Sequence, residues 1–454
     1  MPKKKTALTI EERLQQALVP AEEQPYEVPE NWVWVRLGEV NKYVSKSVNP
    51  ISEPDKIFEL YSVPSMADDY PEIIAGSDIG SSKQSVCKED VLLCKINPRI
   101  NRVWKVSQFT DNELIASSEW IIIRNNHINA NYLMYCFQSK YFREFMLSNV
   151  SGVGGSLMRA QPKYVQTYPI PLPPLSEQQR IVESIEELFA KLDEAKERLQ
   201  EVADSFAVRK AAILHKAFTG ELTKQWRWEN GVSYESWEEK KGEDFFEYVT
   251  SGSRGWAKYY SDKGSIFIRM GNLNHGTIEL DFSDIQYVEL PDQVEGQRSK
   301  LQKNDILISI TADVGMIALV REDMDAYINQ HVALARPKND LYAEFLAWYF
   351  VSDDGLQQMQ NKQRGATKIG LGLQDIRSII LKIPTLPEQH EIVRLIDDLL
   401  ARERAAQQAA EQALASIDLM KKSILARAFR GELGTNKASE ASALELLKQV
   451  LAEN

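Results

Sequence analysis

Apolar residues recur at alternating spacings of four and three in two long stretches of the chain, with polar residues between them. In the first stretch these positions are Ile181, Ile185, Leu188, Leu192, Ala195, Leu199, Val202, Phe206 and Ile213. In the second they are Ile392, Ile396, Leu399, Ala406, Ala410, Ala413, Ile417, Met420 and Ile424. Such spacing is the seam of a coiled coil, and Arg209 and Glu403 interrupt it. Each stretch predicts a helix of about 42 residues, roughly 60 Å long.

Sequence motifs at both ends of these stretches are repeated at a constant distance. Pro-Pro-Leu-Ser-Glu-Gln-Gln-Arg-Ile-Val at 173–182 returns at 384–393 as Pro-Thr-Leu-Pro-Glu-Gln-His-Glu-Ile-Val. Ala-Phe-Thr-Gly-Glu-Leu at 217–222 returns at 428–433 as Ala-Phe-Arg-Gly-Glu-Leu. Both pairs lie 211 residues apart, so the two copies share one rigid element without insertions.

The ends of the predicted helices carry capping signals. Ser176 and Gln179 fit a capping box, and Pro387, which replaces Ser176 in the second copy, is tolerated in a first helical turn. Gly220 fits a left-handed cap at the other end. We expect the two helices to pack antiparallel, because each follows an equivalent unit and a pseudo-twofold axis would relate the halves. The alternative is that each helix packs only on its own unit.

The repeat continues more faintly into the regions before the helices. Residues 90–93 parallel 305–308, residues 118–124 parallel 330–336, and residues 132–135 parallel 345–348. Short β-branched runs predict strands, followed by helices near 131–147 and 342–361. The predicted fold class is therefore mixed α/β (α+β): two similar domains, separated by two long antiparallel coiled-coil helices, in a pseudo-twofold internal repeat.

Domain boundaries follow from the repeat. They are 1–30 for an N-terminal extension, 31–170 for the first domain, 171–222 for the first helical spacer, 223–382 for the second domain, 383–433 for the second spacer and 434–454 for a C-terminal helical tail. We expect the two tails to form short helices, at 10–18 and 441–451, that pack together near one end of the helical pair.

Composition indicates a soluble globular protein. The 454 residues are 43% hydrophobic and 26% charged, and no apolar run approaches the ~20 residues that span a bilayer. Cys87, Cys94 and Cys136 form neither a disulfide framework nor a metal-binding spacing, as expected of a cytoplasmic protein with reduced thiols. The net charge of −11 argues against nucleic-acid binding, but the field on one face can differ from the total charge.

Motifs that would carry catalysis are missing from the sequence. It contains no phosphate-binding GxxxxGK[ST] loop, no GxGxxG after a strand and no HExxH metal motif. Asn97-Pro98-Arg99 lacks the second proline and the aromatic residue of the amino-methyltransferase signature. We therefore predict no catalytic residue and no metal site in this chain.

Polar loops supply candidates for DNA contacts, because base edges are read by Arg, Lys, Asn, Gln, Ser and Thr. In the first domain the candidates are Ser82, Lys83, Gln84, Arg99, Asn101 and Arg102, with residues 117–120 as a further loop. An ordinary solvated loop is the alternative for each.

The second domain has a comparable set, centred on residues 251–260. The candidates are Ser253, Arg254, Trp256, Lys258, Tyr259, Arg269, Asn272 and Asn274, with residues 329–331 as a further loop. Glycines there would let the backbone approach a phosphate, and aromatic rings would stack on an extruded base. The alternative is that Trp256 and Tyr259 belong to the core.

The repeated motif at 171–182, its second copy and the paired Ala-Phe-x-Gly-Glu-Leu ends resemble the two conserved helical regions of type I restriction enzyme specificity subunits. The resemblance extends over nearly the whole chain. It implies a cytoplasmic subunit in which each domain reads one half of a bipartite double-stranded DNA target, while the helices set the gap between the halves.

The resemblance also implies the partners. Two modification subunits, which carry S-adenosylmethionine, would dock on the helical region, and restriction subunits using ATP and Mg²⁺ would join them. This chain would hold no cofactor. The predicted spacer and docking residues are Ile181, Ile185, Leu188, Leu192, Phe218, Ile392, Ile396, Leu399 and Phe429.

Other functions remain open at the level of sequence. The chain could serve a methyltransferase system that has no type I restriction subunit. A coiled-coil scaffold would explain the helices but not the repeated α/β units. A nuclease or methyltransferase in its own right would need a catalytic motif that the sequence lacks.

Overall fold

The computed structural model describes residues 8–152, 158–291, 297–364 and 370–452. The chain divides into two compact units. Unit 1 takes the chain up to Arg198 and from Ala413 onwards, and unit 2 takes Leu199–Gln412. None of the described helices combines the length and the apolar composition that a membrane-spanning helix requires.

The strands of unit 1 lie between residues 33 and 172. They are β1 (Val33–Arg36), β2 (Ser47–Val48), β3 (Ile57–Tyr61), β4 (Glu72–Ala75), β5 (Lys83–Ser85), β6 (Val91–Cys94), β7 (Val103–Lys105), β8 (Glu113–Ala116), β9 (Trp120–Ile123), β10 (Val150–Ser151), β11 (Arg159–Ala160) and β12 (Pro169–Leu172). Those of unit 2 are β13 (Glu238–Lys241), β14 (Phe246–Ser251), β15 (Tyr260–Ser261), β16 (Ser265–Ile268), β17 (Tyr287–Val288), β18 (Ile306–Ser309), β19 (Ile317–Leu319), β20 (Ala326–Ile328), β21 (Val332–Pro337) and β22 (Ile380–Ile383).

Helices lie before, between and after these strands along the chain. In chain order they are α1 (Ile10–Ala17), α2 (Leu37–Val40), α3 (Ala130–Gln138), α4 (Lys140–Ser148), α5 (Pro162–Val165), α6 (Leu175–Asp204), α7 (Phe206–Phe218), α8 (Lys224–Asn230), α9 (Gly242–Phe245), α10 (Ala343–Val351), α11 (Asp353–Asn361), α12 (Leu373–Arg377), α13 (Leu386–Ala428) and α14 (Ala443–Ala452). Pairs α3–α4 and α10–α11 occupy the two places where the sequence predicts helices.

Both units contain an antiparallel core of three strands, to which unit 2 adds β14 as a fourth. In unit 1 the order is β7-β6-β9, beside a five-stranded sheet β2-β5-β8-β3-β4. In unit 2 it is β14-β21-β18-β19, beside a four-stranded sheet β15-β17-β16-β20. The central strands β6, β9 and β18 are buried along their whole length. Such strands read as continuous apolar runs because both faces are covered.

A pair of antiparallel strands joins the ends of each domain. In unit 1, Val33 pairs with Leu172 and Arg36 with Pro169. In unit 2, Glu238 pairs with Ile383. The chain therefore enters and leaves each domain at adjacent points, directly before a long helix. The mixed α/β fold class, with two similar domains linked by long helices, is confirmed.

The long helices pack antiparallel within each unit. In unit 1, Lys421 of α13 lies 2.6 Å from Asp193 of α6, while Phe429, beyond the end of α13, shares a core with Ile181 near the start of α6. In unit 2, Arg209 forms an ion pair with Glu403. Further along the helices, Leu214 belongs to the same hydrophobic core as Ile392 and Ile396. The two polar interruptions of the predicted seams thus pair with each other.

Three details of the helices differ from the prediction. The first helix is interrupted at Ser205, where Arg209 bonds both the Ser205 hydroxyl and the Val202 carbonyl. Val202 and Met420, predicted in the seam, are 39% and 50% exposed. Leu400 rather than Leu399 is fully buried. A straight helix of 3.6 residues per turn drifts away from a seven-residue repeat, so the strict seam fails along its length.

The capping box predicted at Ser176 is also wrong. Helix α6 begins at Leu175, which places Ser176 inside its first turn. Instead Gln178 holds the turn, since its amide donates to the Pro173 carbonyl at 3.0 Å and its oxygen accepts from the Asn129 N–H at 2.9 Å. Gly220 and Gly431 do adopt the left-handed conformation expected of helix caps, with φ of 78° and 73°.

The predicted tail helices are present and pack together. Helices α1 and α14 are in contact, and the Arg13 guanidinium donates to the Leu451 carbonyl at 2.9 Å. Leu447 and Leu451 belong to the same core as Ile181 and Phe429. Both tails are therefore integral parts of unit 1.

Candidate nucleic-acid interface

Unit 1 brings the three polar loops predicted from its sequence to one cleft. The cleft has a volume of about 520 Å³, and its lining includes Lys83, Asn97, Arg102, Ser117 and Glu119. The loop after β6 and the loops before β7 and β9 lie at one edge of the sheet, because β6 pairs antiparallel with both strands. A concave surface lined by cations, an amide and a carboxylate suits recognition of a polar ligand.

Asn97 occupies the turn after β6 in a left-handed conformation with φ of 46°. Asn adopts this conformation more readily than most residues. Its backbone N–H donates to the Met158 carbonyl at 2.8 Å, whereas its side-chain oxygen is enclosed and has no hydrogen-bond partner among the described residues. An unsatisfied polar atom costs free energy unless a ligand satisfies it.

Lys83 and Arg102 supply positive charge to the cleft. The Lys83 ammonium donates to the Ser81 hydroxyl at 2.6 Å, and burial lowers the pKa of Lys83. Ser82 and Arg99 lie nearby along the chain as exposed side chains. These four residues remain candidates for DNA contacts.

Two predicted contact residues of unit 1 instead hold the loops. Gln84 donates to the carbonyls of Ser117 and Trp120, at 3.2 and 3.0 Å. Asn101 donates to the Gln138 carbonyl at 3.0 Å, which fastens the turn before β7 to α3. The side-chain amides of Gln84 and Asn101 therefore hold in place the loops that line the cleft.

Unit 2 presents a different set of side chains at the corresponding edge. The Thr311 hydroxyl lies 2.7 Å from Nδ1 of His331, and the Gln330 amide lies 3.0 Å from its Nε2. Ser253 forms a bridge with Asn329 beside this group. The candidate loop 329–331 is therefore joined to the candidate loop after β14.

The loop after β14 combines exposed cations with a buried aromatic residue. Arg254 and Lys258 are exposed, and the Lys258 ammonium lies 4.8 Å from the ring centre of half-buried Tyr259. Trp256 is only 4% exposed and stacks on Phe267 at 5.6 Å. The prediction that Trp256 stacks on a base is therefore wrong, because its ring is already enclosed by the core.

Gly252 has a structural role, and its predicted approach to a phosphate stays a prediction. A Cβ there would lie 1.9 Å from the Ile328 carbonyl oxygen. Only glycine allows this backbone contact, which brings the two polar loops of unit 2 together.

The last three candidates of unit 2 are largely engaged within the protein. Arg269 forms an ion pair with Asp284 at 2.7 Å. Asn272 is 3% exposed and donates to two backbone carbonyls, so the prediction that it contacts DNA is wrong. Asn274 donates to Asp281 at 3.3 Å but remains exposed.

Each unit has an ion pair behind its central strands that sequence reasoning did not single out. Arg124 binds Asp90 through two hydrogen bonds of 2.7 and 2.6 Å, and Arg336 binds Asp305 in the same way at 2.6 and 2.9 Å. The signal was present, since both pairs lie in the repeated strand motifs. Bidentate pairs of this kind fix geometry as well as adding energy, so they position the strands that carry the polar loops.

The buried glutamates at the starts of the long helices were likewise overlooked. Glu177 accepts hydrogen bonds from Trp32, Asn436 and Thr435. Glu388, its counterpart, is fully buried and bonds Arg227 at 2.6 Å. The repeated Glu-Gln pair marked these positions in the sequence.

The predicted spacer residues form much of the helix packing. Ile181, Ile185, Ile392, Ile396 and Phe429 are fully buried, Phe218 is 7% exposed, and Leu188, Leu192 and Leu399 are half-buried. Docking of another subunit by these residues remains a prediction. Within the described residues, no group of three or more His, Cys, Asp or Glu side chains is placed to hold a metal ion.

Comparison with known proteins identifies relatives of this chain. Residues 29–204 and 234–413 match the family described as type I restriction modification DNA specificity domain. The type I restriction enzyme EcoBI specificity subunit of Escherichia coli is 30% identical over 306 residues, covering 63% of this chain and 64% of that protein. The EcoKI specificity subunit of strain K12 is 27% identical over 345 residues, covering 72% of each. The chain therefore aligns with slightly less than two thirds of the length of the EcoBI subunit.

Solved structures share the fold. The HsdS subunit from Thermoanaerobacter tengcongensis has a TM-score of 0.68 at 22% identity, over 90% of this chain and 99% of that one. A chain from a study of complex assembly and conformational transition of the type I R-M system gives the same TM-score and identity, over 90% and 100%. Because the two family matches take in well over half of its residues, the chain belongs to the type I restriction-modification DNA specificity family.

Proposed function

We propose that this chain is the DNA-reading subunit of a cytoplasmic type I restriction-modification complex, with each unit binding one half of a bipartite target. One observation carries the proposal. Two copies of one scaffold present different polar side chains at the same edge, namely Asn97 and Glu119 in unit 1 and Thr311 and His331 in unit 2. A reader of two unlike half-sites needs a common fold with unlike contacts, because phosphates position a protein while base edges specify the sequence.

The long helices set the spacing of the two half-sites in this proposal. Half-sites on one face of a duplex lie about 34 Å apart per helical turn. In this proposal α13, a continuous helix of 43 residues, sets that separation. The Arg209–Glu403 pair supports this role, since a polar pair within an apolar seam favours a single register.

The chain itself is proposed to be non-catalytic and free of cofactors. S-adenosylmethionine would be bound by two modification subunits docked on the helical region, and ATP and Mg²⁺ by restriction subunits. Residues 31–170 contain 15 Lys and Arg against 14 Asp and Glu, and residues 223–382 contain 19 against 24. Because the second domain carries more negative than positive charges and the first is nearly balanced, most phosphate contacts would come from the modification subunits. The isolated chain would then bind DNA weakly and with a shallow salt dependence.

The test is to express the chain with a modification subunit of its own system in a methylation-deficient host and to sequence the genome with long reads scored for N6-methyladenine. The proposal predicts a bipartite motif with a fixed gap that disappears when this chain is left out. Methylation that does not depend on this chain would refute the proposal. A complete lack of methylation from an assembled complex would also refute it.

A further inference from the structure

The two copies of the scaffold allow a position-by-position comparison of their polar edges. In unit 1 the Lys95 N–H donates to the Glu119 carbonyl at 3.0 Å, and in unit 2 the Ile310 N–H donates to the His331 carbonyl at 2.9 Å. Both bonds extend the antiparallel pairing of the central strands by one step. Glu119 and His331 therefore occupy the same place in the fold.

A second pair of equivalent positions lies opposite the first. Asn97 and Ala312 each follow a central strand by three residues and adopt the left-handed conformation, with φ of 46° and 64°. For alanine this backbone conformation is unfavourable, so the turn is imposed by the scaffold. The backbone is shared while the side chains differ, which is the expected property of positions that determine specificity.

The chemistry of Glu119 restricts what it can bind. An ionised carboxylate only accepts hydrogen bonds. Its nearest cation, Arg159, lies 3.4 Å from each of its oxygens, which is longer than a strong charge-assisted bond. The side chain is 29% exposed and lines the cleft beside Asn97 and Arg102. The carboxylate is therefore accessible and has lone pairs free for a donor from a ligand.

Base edges in the major groove offer few donors. The amino groups N6 of adenine and N4 of cytosine are the donors there, and acidic side chains accept from cytosine N4. We infer that Glu119 reads the exocyclic amino group of an adenine or a cytosine at one position of the half-site bound by unit 1. This inference rests on the proposed function.

The test determines the methylated motif for variants of the assembled complex. Glu119→Ala is expected to relax one base pair of one half-site, lowering discrimination there by about 5- to 150-fold, because a good base contact contributes on the order of 1–3 kcal/mol. Glu119→Gln is expected to favour adenine at that position, since glutamine pairs with N6 and N7 of adenine. If the wild-type motif has adenine at that position, Glu119→Gln should keep it. If it has cytosine there, Glu119→Gln should change the preference to adenine.

Glu113→Ala is the matched control. Glu113 lies in the same unit, is 35% exposed and forms an ion pair with Lys56, but it does not line the cleft. This variant should leave the motif unchanged, and Glu119→Ala should leave the other half-site unchanged. A wild-type motif from an assembled, normally melting Glu119→Ala complex would overturn the inference alone. If the wild-type complex showed no methylated motif that depends on this chain, both the proposed function and the inference would be overturned.

Discussion

Glu177 and Glu388 occupy equivalent positions at the starts of the long helices, yet the same substitution should have unequal effects. Glu388 is fully buried, and one of its oxygens accepts from both Thr223 and Arg227 while the other accepts from Trp237. In Glu388→Gln, the amide N–H₂ faces a hydrogen-bond donor in either orientation: the Arg227 guanidinium in one and the Trp237 indole N–H in the other. The Arg227 side chain, only 9% exposed, also loses its counter-charge.

Among the described residues, the side chains that donate hydrogen bonds to Glu177 are neutral. One oxygen accepts from Trp32 and Asn436, and the other accepts from the Thr435 hydroxyl. A glutamine amide can donate to that hydroxyl, which is both a donor and an acceptor. Glu177→Gln should therefore cost about 1 kcal/mol, whereas Glu388→Gln should cost about 3–5 kcal/mol because it leaves a buried charge without a partner.

Hydrogen exchange measured on peptides from each unit separates the two effects, because it reports the opening free energy of each region. Arg227→Met should recover part of the stability lost in Glu388→Gln, since the unpaired cation is then absent. Equal losses in the two glutamine variants, or no recovery in the double variant, would show that the buried charge does not determine the difference.

Further expectations concern the second unit. Arg254→Ala and Lys258→Ala should each lower the slope of log affinity against log salt by about 1 for the assembled complex on its target, without changing the melting temperature; an unchanged slope would exclude phosphate contacts there. Burial and nearby Arg404 lower the pKa of Lys210 to about 8. Below pH 8 the folded and unfolded states both carry the proton, so the stability of unit 2 should rise as the pH increases from about 8 towards 10.5, and Lys210→Met should flatten that rise in thermal melts. Gly220→Ala should destabilise by about 1–3 kcal/mol in chemical denaturation, because φ is 78° there; a neutral effect would refute the need for a left-handed cap.

The sequence predicted the features that depend on local spacing. The repeated apolar pattern located both long helices, and the constant offset located their shared ends. Antiparallel packing also followed from the repeat. The pairing of Arg209 with Glu403 was within reach, since both residues interrupt the seams, but it requires the register between the helices, which the pattern of either one alone does not contain.

Features that depend on distant residues could not be predicted. Trp256 is enclosed by Phe267 and Tyr327, and its partners come from strands whose pairing no local pattern specifies. The cleft of unit 1 likewise joins Asn97 and Glu119 through the pairing of β6 with β9. Polar character identified the loops, while strand pairing decided which side chains face a ligand and which, like Gln84, hold the loops in place.

The central claim is that each unit reads one half-site independently. Its most direct test replaces residues 37–168, which lie inside the closing strand pair β1–β12, with the corresponding domain of a relative that recognises another sequence, and determines the methylated motif. We predict that one half-site changes to that of the donor, while the other half-site and the gap stay as they were. A motif altered in both halves, or in neither, would contradict the account.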